Sequence, residues 1–234
     1  MNQIDPRNTD WNVTLLGEVL LLGVLSKAIQ GSPDRQWLKS LVDQDIFSES
    51  PLETSSPQIE LGLALLQAWS RSVENGISDE QFVDLQTDYS RLFIGPAKPL
   101  APPWESVYFN EDHMIFQQQT AQVRAWYRRF GLEPEKLYKE PDDHIGLELA
   151  FLAHLTSLGL QALEDSDDTK FAEILQAQSE FISQHPLKWV QLWHEQVDKH
   201  ARTGFYRGLG HLIHGALLAM AEVRQLKLSK RAAL

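Results

Sequence analysis

Residues 140 to 146, Glu-Pro-Asp-Asp-His-Ile-Gly, gather four ionisable side chains, Glu140, Asp142, Asp143 and His144, around Pro141. Side chains of these types can serve three ends. The adjacent Asp143–His144 pair could do general acid–base work. His144 and Glu148, four apart and on one helix face, could hold a metal. Asp142 could cap a helix and Asp143 could favour the positive end of its dipole. A cap does not account for His144, because the same dipole disfavours a cationic imidazole. The crowded acids also repel one another, and a cationic partner would relieve that repulsion.

Each enzymatic option lacks support elsewhere in the chain. Asp143 and His144 diverge by about 100° on a helix, so they do not converge on one ion. His211 and His214 form the other ligand pair, with no third ligand nearby and no HExxH motif. No GxSxG elbow supplies a nucleophile, and no GxxxxGK[ST] or GxGxxG loop would hold a phosphate or dinucleotide. There is no cysteine, which excludes disulfides, thiol catalysis and thiolate-bound zinc. From this we expect a non-enzyme with no cofactor and no metal. A hydrolase or metalloenzyme built on Asp143 and His144 is one alternative, and a structural assembly subunit is another.

A second stretch, YSRLFIGPAKPLAPPWESVYF at 89 to 109, surrounds a proline-rich turn with Tyr89, Leu92, Phe93, Trp104, Tyr108 and Phe109. Leu92 and Phe93 read as residues that pin the loop to the core. Trp104 lies outside every periodic stripe, between two prolines and Glu105. A rigid, partly exposed indole beside an acid is typical of recognition surfaces.

The elements that must position these groups are helical. Leu15, Leu16, Val19, Leu22 and Leu25 recur at helical steps over 12–30, before Gly31. A short helix follows within 32–47. Ser56–Pro57 opens the next, with Leu61, Leu65, Ala68 and Trp69 expected inward. Ser-Asp-Glu-Gln at 78–81 is a capping box, and its helix carries Phe82, Leu85, Tyr89, Leu92 and Phe93 on one stripe. Further helices are expected over about 110–130, 142–163, 170–184, 189–197 and 203–226. The expected fold is all-α, one domain over 1–234, a bundle of roughly ten helices.

The chain has 234 residues and a net charge of −11 from 21 basic and 32 acidic side chains. That balance argues against nucleic acid as a partner and permits a cationic one. The N-terminus lacks the basic start of a signal peptide, and the run Val19–Leu25 is short for a membrane span. We therefore expect a cytoplasmic protein without stable membrane insertion, monomeric or homodimeric.

Three ordered segments, YSRLFIGP, PPWESVY and EPDDHIGLELAF, together resemble the TorD/DmsD family of cytoplasmic chaperones. The resemblance implies an all-helical protein without turnover. It implies binding of the twin-arginine signal peptide of a molybdenum-cofactor reductase, of the dimethyl sulfoxide or trimethylamine N-oxide type. The precursor would be held until its cofactor is loaded. The family positions fall here on Tyr89, Leu92, Phe93, Trp104, Tyr108, Pro141, Asp143 and His144. Ala97 stands where some DmsD proteins have a tryptophan. Adjacent arginines followed by an apolar segment call for carboxylates beside an apolar groove. Glu105, Glu140, Asp142 and Asp143 are the candidate acids, and Leu92, Phe93, Trp104 and Tyr108 the candidate apolar wall.

Overall fold

A computed structural model describes residues 10–52, 54–95, 98–112, 114–133 and 141–231, without the side chains of 225–231. Among the described residues there are nine α-helices and no β-strand. They run α1 (Trp11–Gln30), α2 (Arg35–Asp43), α3 (Pro57–Ser72), α4 (Asp79–Tyr89), α5 (Gln118–Arg129), α6 (Ile145–Glu164), α7 (Asp168–Gln184), α8 (Val190–His200) and α9 (Gly204–Arg231).

Local chemistry sets most starts. Asp10 caps α1 by accepting from Asn12 N at 3.1 Å and Val13 N at 3.4 Å. Ser56 caps α3 with Pro57 in its first turn, and Ser78 with Gln81 closes the expected capping box of α4. Asp88, on α4, reaches across to the start of α9. Its carboxylate accepts from Arg202 N at 2.9 Å and from Thr203 N and Oγ1, both at 2.8 Å.

Helices distant in sequence pack as pairs. α1 lies against α6, α3 against α9, and α7 against both α6 and α9. One apolar cluster runs from Leu21 in α1 to Ala221 in α9 and includes Leu149, Trp189, Trp193 and Leu217. Each fully buried side chain of this kind contributes roughly 1.5–3 kcal/mol. The α3–α9 crossing is close because it is glycine-lined. A Cβ on Gly62 would meet Leu212 N at 2.8 Å and Gly208 O at 2.9 Å. That contact sets which face of α3 turns inward. Ile59, Leu66 and Trp69 are buried with Gly62, whereas Leu61 and Ala68, expected inward, are exposed.

α1 and α6 are each 20 residues long and apolar enough, by length and composition, to cross a membrane. The run at Val19–Leu25 thus understates α1. Both helices turn much of that surface into the fold, where they pack on each other. α1 also carries a buried charge: Glu18 receives the guanidinium of Arg224 from α9, at 2.9 and 2.6 Å. Arg224 Nε donates in turn to Gln178 Oε1 at 2.9 Å.

Candidate functional site

The segments YSRLFIGP, PPWESVY and DDHIG meet in space. After α4 the chain widens into a π-helical turn, Ser90–Ile94, and the widened turn sends Leu92 and Phe93 inward together. Gly95 then turns with φ +65°, against the backbone of Lys98 and Pro99, and a Cβ there would lie 2.7 Å from Pro99 N. Ala101 N donates to Leu92 O at 2.8 Å, so the proline loop is tied to the turn before it. Pro96, Ala97 and Glu140 lie outside the described residues.

Trp104 and His144 form an isolated antiparallel bridge. Glu105 N donates to Asp143 O at 2.9 Å and Ile145 N to Pro103 O at 2.8 Å. The Trp104 indole meets the His144 ring edge-on at 5.9 Å, and both side chains remain half-buried. Tyr108, in the 3-10 turn Glu105–Tyr108, packs on Trp189 at 5.2 Å and donates its hydroxyl to Pro102 O at 2.9 Å. Burial pushes its phenol well above the usual range.

The acids behave differently from the expectation that they await a cation. Asp142, Asp143 and Glu105 are all buried and already engaged. Asp142 pairs with Arg124 of α5, and Tyr127 Oη donates to its main-chain oxygen at 3.0 Å. Asp143 accepts from Ser106 N at 2.7 Å and from Thr120 Oγ1 at 2.8 Å. Glu105 Oε2 lies 2.9 Å from His185 Nδ1. The repulsion implied by the sequence is therefore relieved inside the chain. The expected cap at Asp142 also moves. α6 starts at Ile145, and His144 caps it by accepting from Gly146 N on Nδ1 at 3.0 Å. An accepting ring nitrogen meets the positive helix end favourably, which removes the conflict posed by a cationic imidazole. Asp143 and His144 face different partners, so the acid–base dyad is not formed.

Tyr89, Leu92 and Phe93, which the family resemblance assigns to peptide binding, are core residues, as the sequence reading of Leu92 and Phe93 as loop anchors expects. Phe93 packs against Tyr89 at 5.4 Å, Tyr206 at 5.6 Å and Trp193 at 6.2 Å. Tyr89 donates to Ile29 O at 3.3 Å. Pro141 is buried too. These residues shape the site from beneath.

Its accessible face is an open groove of about 560 Å³. Pro99, Pro102, Trp104, Val107, Met114 and Ile115 form its apolar walls, with Lys98 and Asp112 as its charged groups. Met114 and Ile115 are exposed, as are the neighbouring Phe109 and Phe116. The sequence reading placed Met114, Ile115 and Phe116 in a helix over about 110–130. Instead Asn110 holds a turn, donating to Ser106 O at 2.6 Å and accepting from Met114 N at 2.7 Å, and Phe116 has φ +60°.

Glu148, weighed in the sequence only as a possible metal ligand with His144, is wholly buried beside Glu105 and Trp189 and has no well-formed hydrogen bond among the described residues. Burial, then the charges of Glu105 and Asp143, raise its carboxyl well above the usual range. Among the described residues no group of three His, Asp or Glu side chains is arranged to hold a metal ion.

The three segments that build this site lie within the region matched by a known family. Residues 56–195 match the family described as nitrate reductase delta subunit. The chaperone protein TorD of Vibrio cholerae is 31% identical over 200 residues, spanning 81% of this chain and 86% of the relative. This chain belongs to the TorD/DmsD family. The TorD chaperones of Photobacterium profundum and Aliivibrio fischeri are 24% and 25% identical, each over 76% of this chain and 86% of the relative. The TorD/DmsD match makes the chain a chaperone and not an enzyme.

Proposed function

We propose that this TorD/DmsD chaperone matures a redox enzyme by holding the twin-arginine signal peptide of its precursor in the groove beside Trp104. The client would be a molybdenum-cofactor reductase of the dimethyl sulfoxide or trimethylamine N-oxide type, retained in the cytoplasm until its cofactor is in place. The observation that carries this reading is the groove itself. A half-exposed tryptophan, two prolines and two exposed aliphatic side chains line an open channel on an acidic chain. Such a surface suits an apolar peptide segment flanked by cations.

The engaged acids take a supporting role in this proposal. Asp143 positions the Glu105–Tyr108 turn through Ser106 N, and the bridge between Trp104 and His144 sets the indole. Direct contact with the arginines then falls to the exposed Asp112, which lines the groove.

Titration calorimetry with an Arg-Arg signal peptide and its Lys-Lys version tests the assignment. Trp104→Ala should weaken binding by roughly 30-fold, since a central aromatic anchor contributes ~2 kcal/mol or more. Asp112→Asn should cost at most about fivefold and lower the salt dependence, as expected of an exposed pair worth ~0–1 kcal/mol. Asp143→Asn should weaken binding without altering that salt dependence. Unchanged affinity in Trp104→Ala would remove the groove from the function.

A further inference from the structure

The chain has no cysteine and three methionines, so its oxidisable sulfur is all thioether. Met1 lies outside the described residues, and Met220 is sealed in the core at 1% exposure. Met114 is 50% exposed, which makes it, among the described residues, the sulfur open to an oxidant in solution. It also stands in the groove wall, with Trp104, Val107 and Ile115.

The backbone beneath this side chain is held on both sides. Asn110 Oδ1 accepts from Met114 N at 2.7 Å, and Asn110 Nδ2 donates to Met114 O at 3.0 Å and to Ser106 O at 2.6 Å. A fixed main chain keeps a flexible thioether at the groove. An unbranched, polarisable side chain of this kind adapts to apolar partners of different shape. That service depends on the sulfur remaining apolar.

We propose that Met114 is a reversible oxidation site that lowers the affinity of the groove for the apolar part of a client peptide. This regulation rests on the groove being the peptide site. The oxidant is hydrogen peroxide. The sulfur lone pair attacks one peroxide oxygen, the O–O bond breaks, and the departing hydroxide takes up a proton and leaves as water. The thioether gives up two electrons and becomes a sulfoxide, and the peroxide is reduced. A dithiol-dependent methionine sulfoxide reductase reverses the step, with the dithiol oxidised to a disulfide and the oxygen released as water. The sulfoxide oxygen is a hydrogen-bond acceptor. An apolar peptide segment laid over it strips its water and offers no donor in return, which costs affinity.

The test treats the full chain with hydrogen peroxide at neutral pH and removes the oxidant. The product is mapped by peptide mass spectrometry and titrated calorimetrically with an Arg-Arg signal peptide free of methionine and cysteine. Met114 should gain an oxygen roughly tenfold faster than the buried Met220, and saturating peptide should slow that gain. The oxidised parent should bind about fivefold more weakly than the untreated parent, and a methionine sulfoxide reductase with dithiothreitol should restore the affinity. Met114→Leu, whatever its starting affinity, should bind equally well before and after peroxide, although Met1 and Met220 remain. Oxidation of Met220 as fast as Met114, or a parent whose affinity is unchanged or raised by oxidation, would overturn the proposal while the groove keeps its function. A loss of affinity on treating Met114→Leu would trace the effect to another residue and overturn it too. Failure of the untreated parent to bind the peptide would overturn the peptide-binding role of the groove, and this regulation with it.

Discussion

The carboxylates behind Trp104 and the imidazoles between α8 and α9 are both clusters of ionisable groups in the interior, yet they are held by different logic. In the first, three acids each meet a group of another kind from another element. Asp142 meets Arg124, Asp143 meets Ser106 and Thr120, and Glu105 meets His185. In the second, like meets like. His194 Nε2 lies 2.8 Å from His211 Nδ1, and the His194 and His214 rings are 5.1 Å apart. Asp198, at 3.2 Å from His211 Nε2 and 3.5 Å from Arg207 Nε, is the acid that touches the group. His214 Nδ1 is buried with no hydrogen-bond partner among the described residues. Complementary pairs fix the register of segments far apart in the chain. A set of identical bases is comfortable only while its members stay neutral.

The most damaging way to break this contrast is to remove one half of a complementary pair. Arg124→Met leaves the Asp142 carboxylate buried without its cation, and unfolding in urea should reveal a loss of ~3–5 kcal/mol. A loss below ~1 kcal/mol would show that Asp142 is not held by this pair.

Acid should act next, on the imidazoles. Burial first, then the neighbouring His211, lowers His194 from 6.5 to about 4, and the same causes lower His214. Between about pH 6.5 and 4 the unfolded chain therefore binds protons that the folded chain refuses. Stability is present above pH 6.5 and should drain away as the pH falls through that window. The paired substitution His194→Gln/His214→Gln should flatten the decline of melting temperature in a pH series. A parent melting temperature that holds constant down to pH 4.5 would contradict this account.

The smallest effect is expected where the acid cluster breaks its own rule. Among the described residues Glu148 has no cationic partner, and its raised carboxyl favours the protonated form in the fold. The unfolded chain releases that proton from about pH 4.5 upward, so this group costs stability as pH rises towards its folded value. Glu148→Gln mimics the neutral acid. It should leave stability at pH 7 unchanged or raise it by ~1 kcal/mol, with a shallower slope on the alkaline side. Destabilisation by more than that would mean the carboxylate form is the one the fold uses.

How much of this was legible beforehand depended on how far each interaction reaches along the chain. Ser56–Pro57, the Ser78–Gln81 box and the apolar stripes of α1 and α9 are local signals, and each marks a helix that forms. Periodicity failed where a side chain competes with the helix. Asn110 ties Ser106 to Met114 and delays α5 until Gln118. The acids Asp142 and Asp143 have partners 18 and 23 residues or more away, so the start of α6 shifts to Ile145. The candidate site was legible as three motifs, but not its division into a buried acidic base and an open apolar groove. That division depends on Glu105 finding His185, 80 residues on, a pairing no local pattern encodes.

The bond between Glu18 and Arg224 spans 206 residues. During synthesis at roughly 5–20 residues per second, the N-terminal helix would wait about 10–40 s for that guanidinium. α6 emerges earlier and can shelter the apolar side of α1, but the carboxylate of Glu18 can be enclosed only when α9 arrives. A nascent chain of this chaperone therefore passes through an interval in which it needs from the cell the protection it later gives.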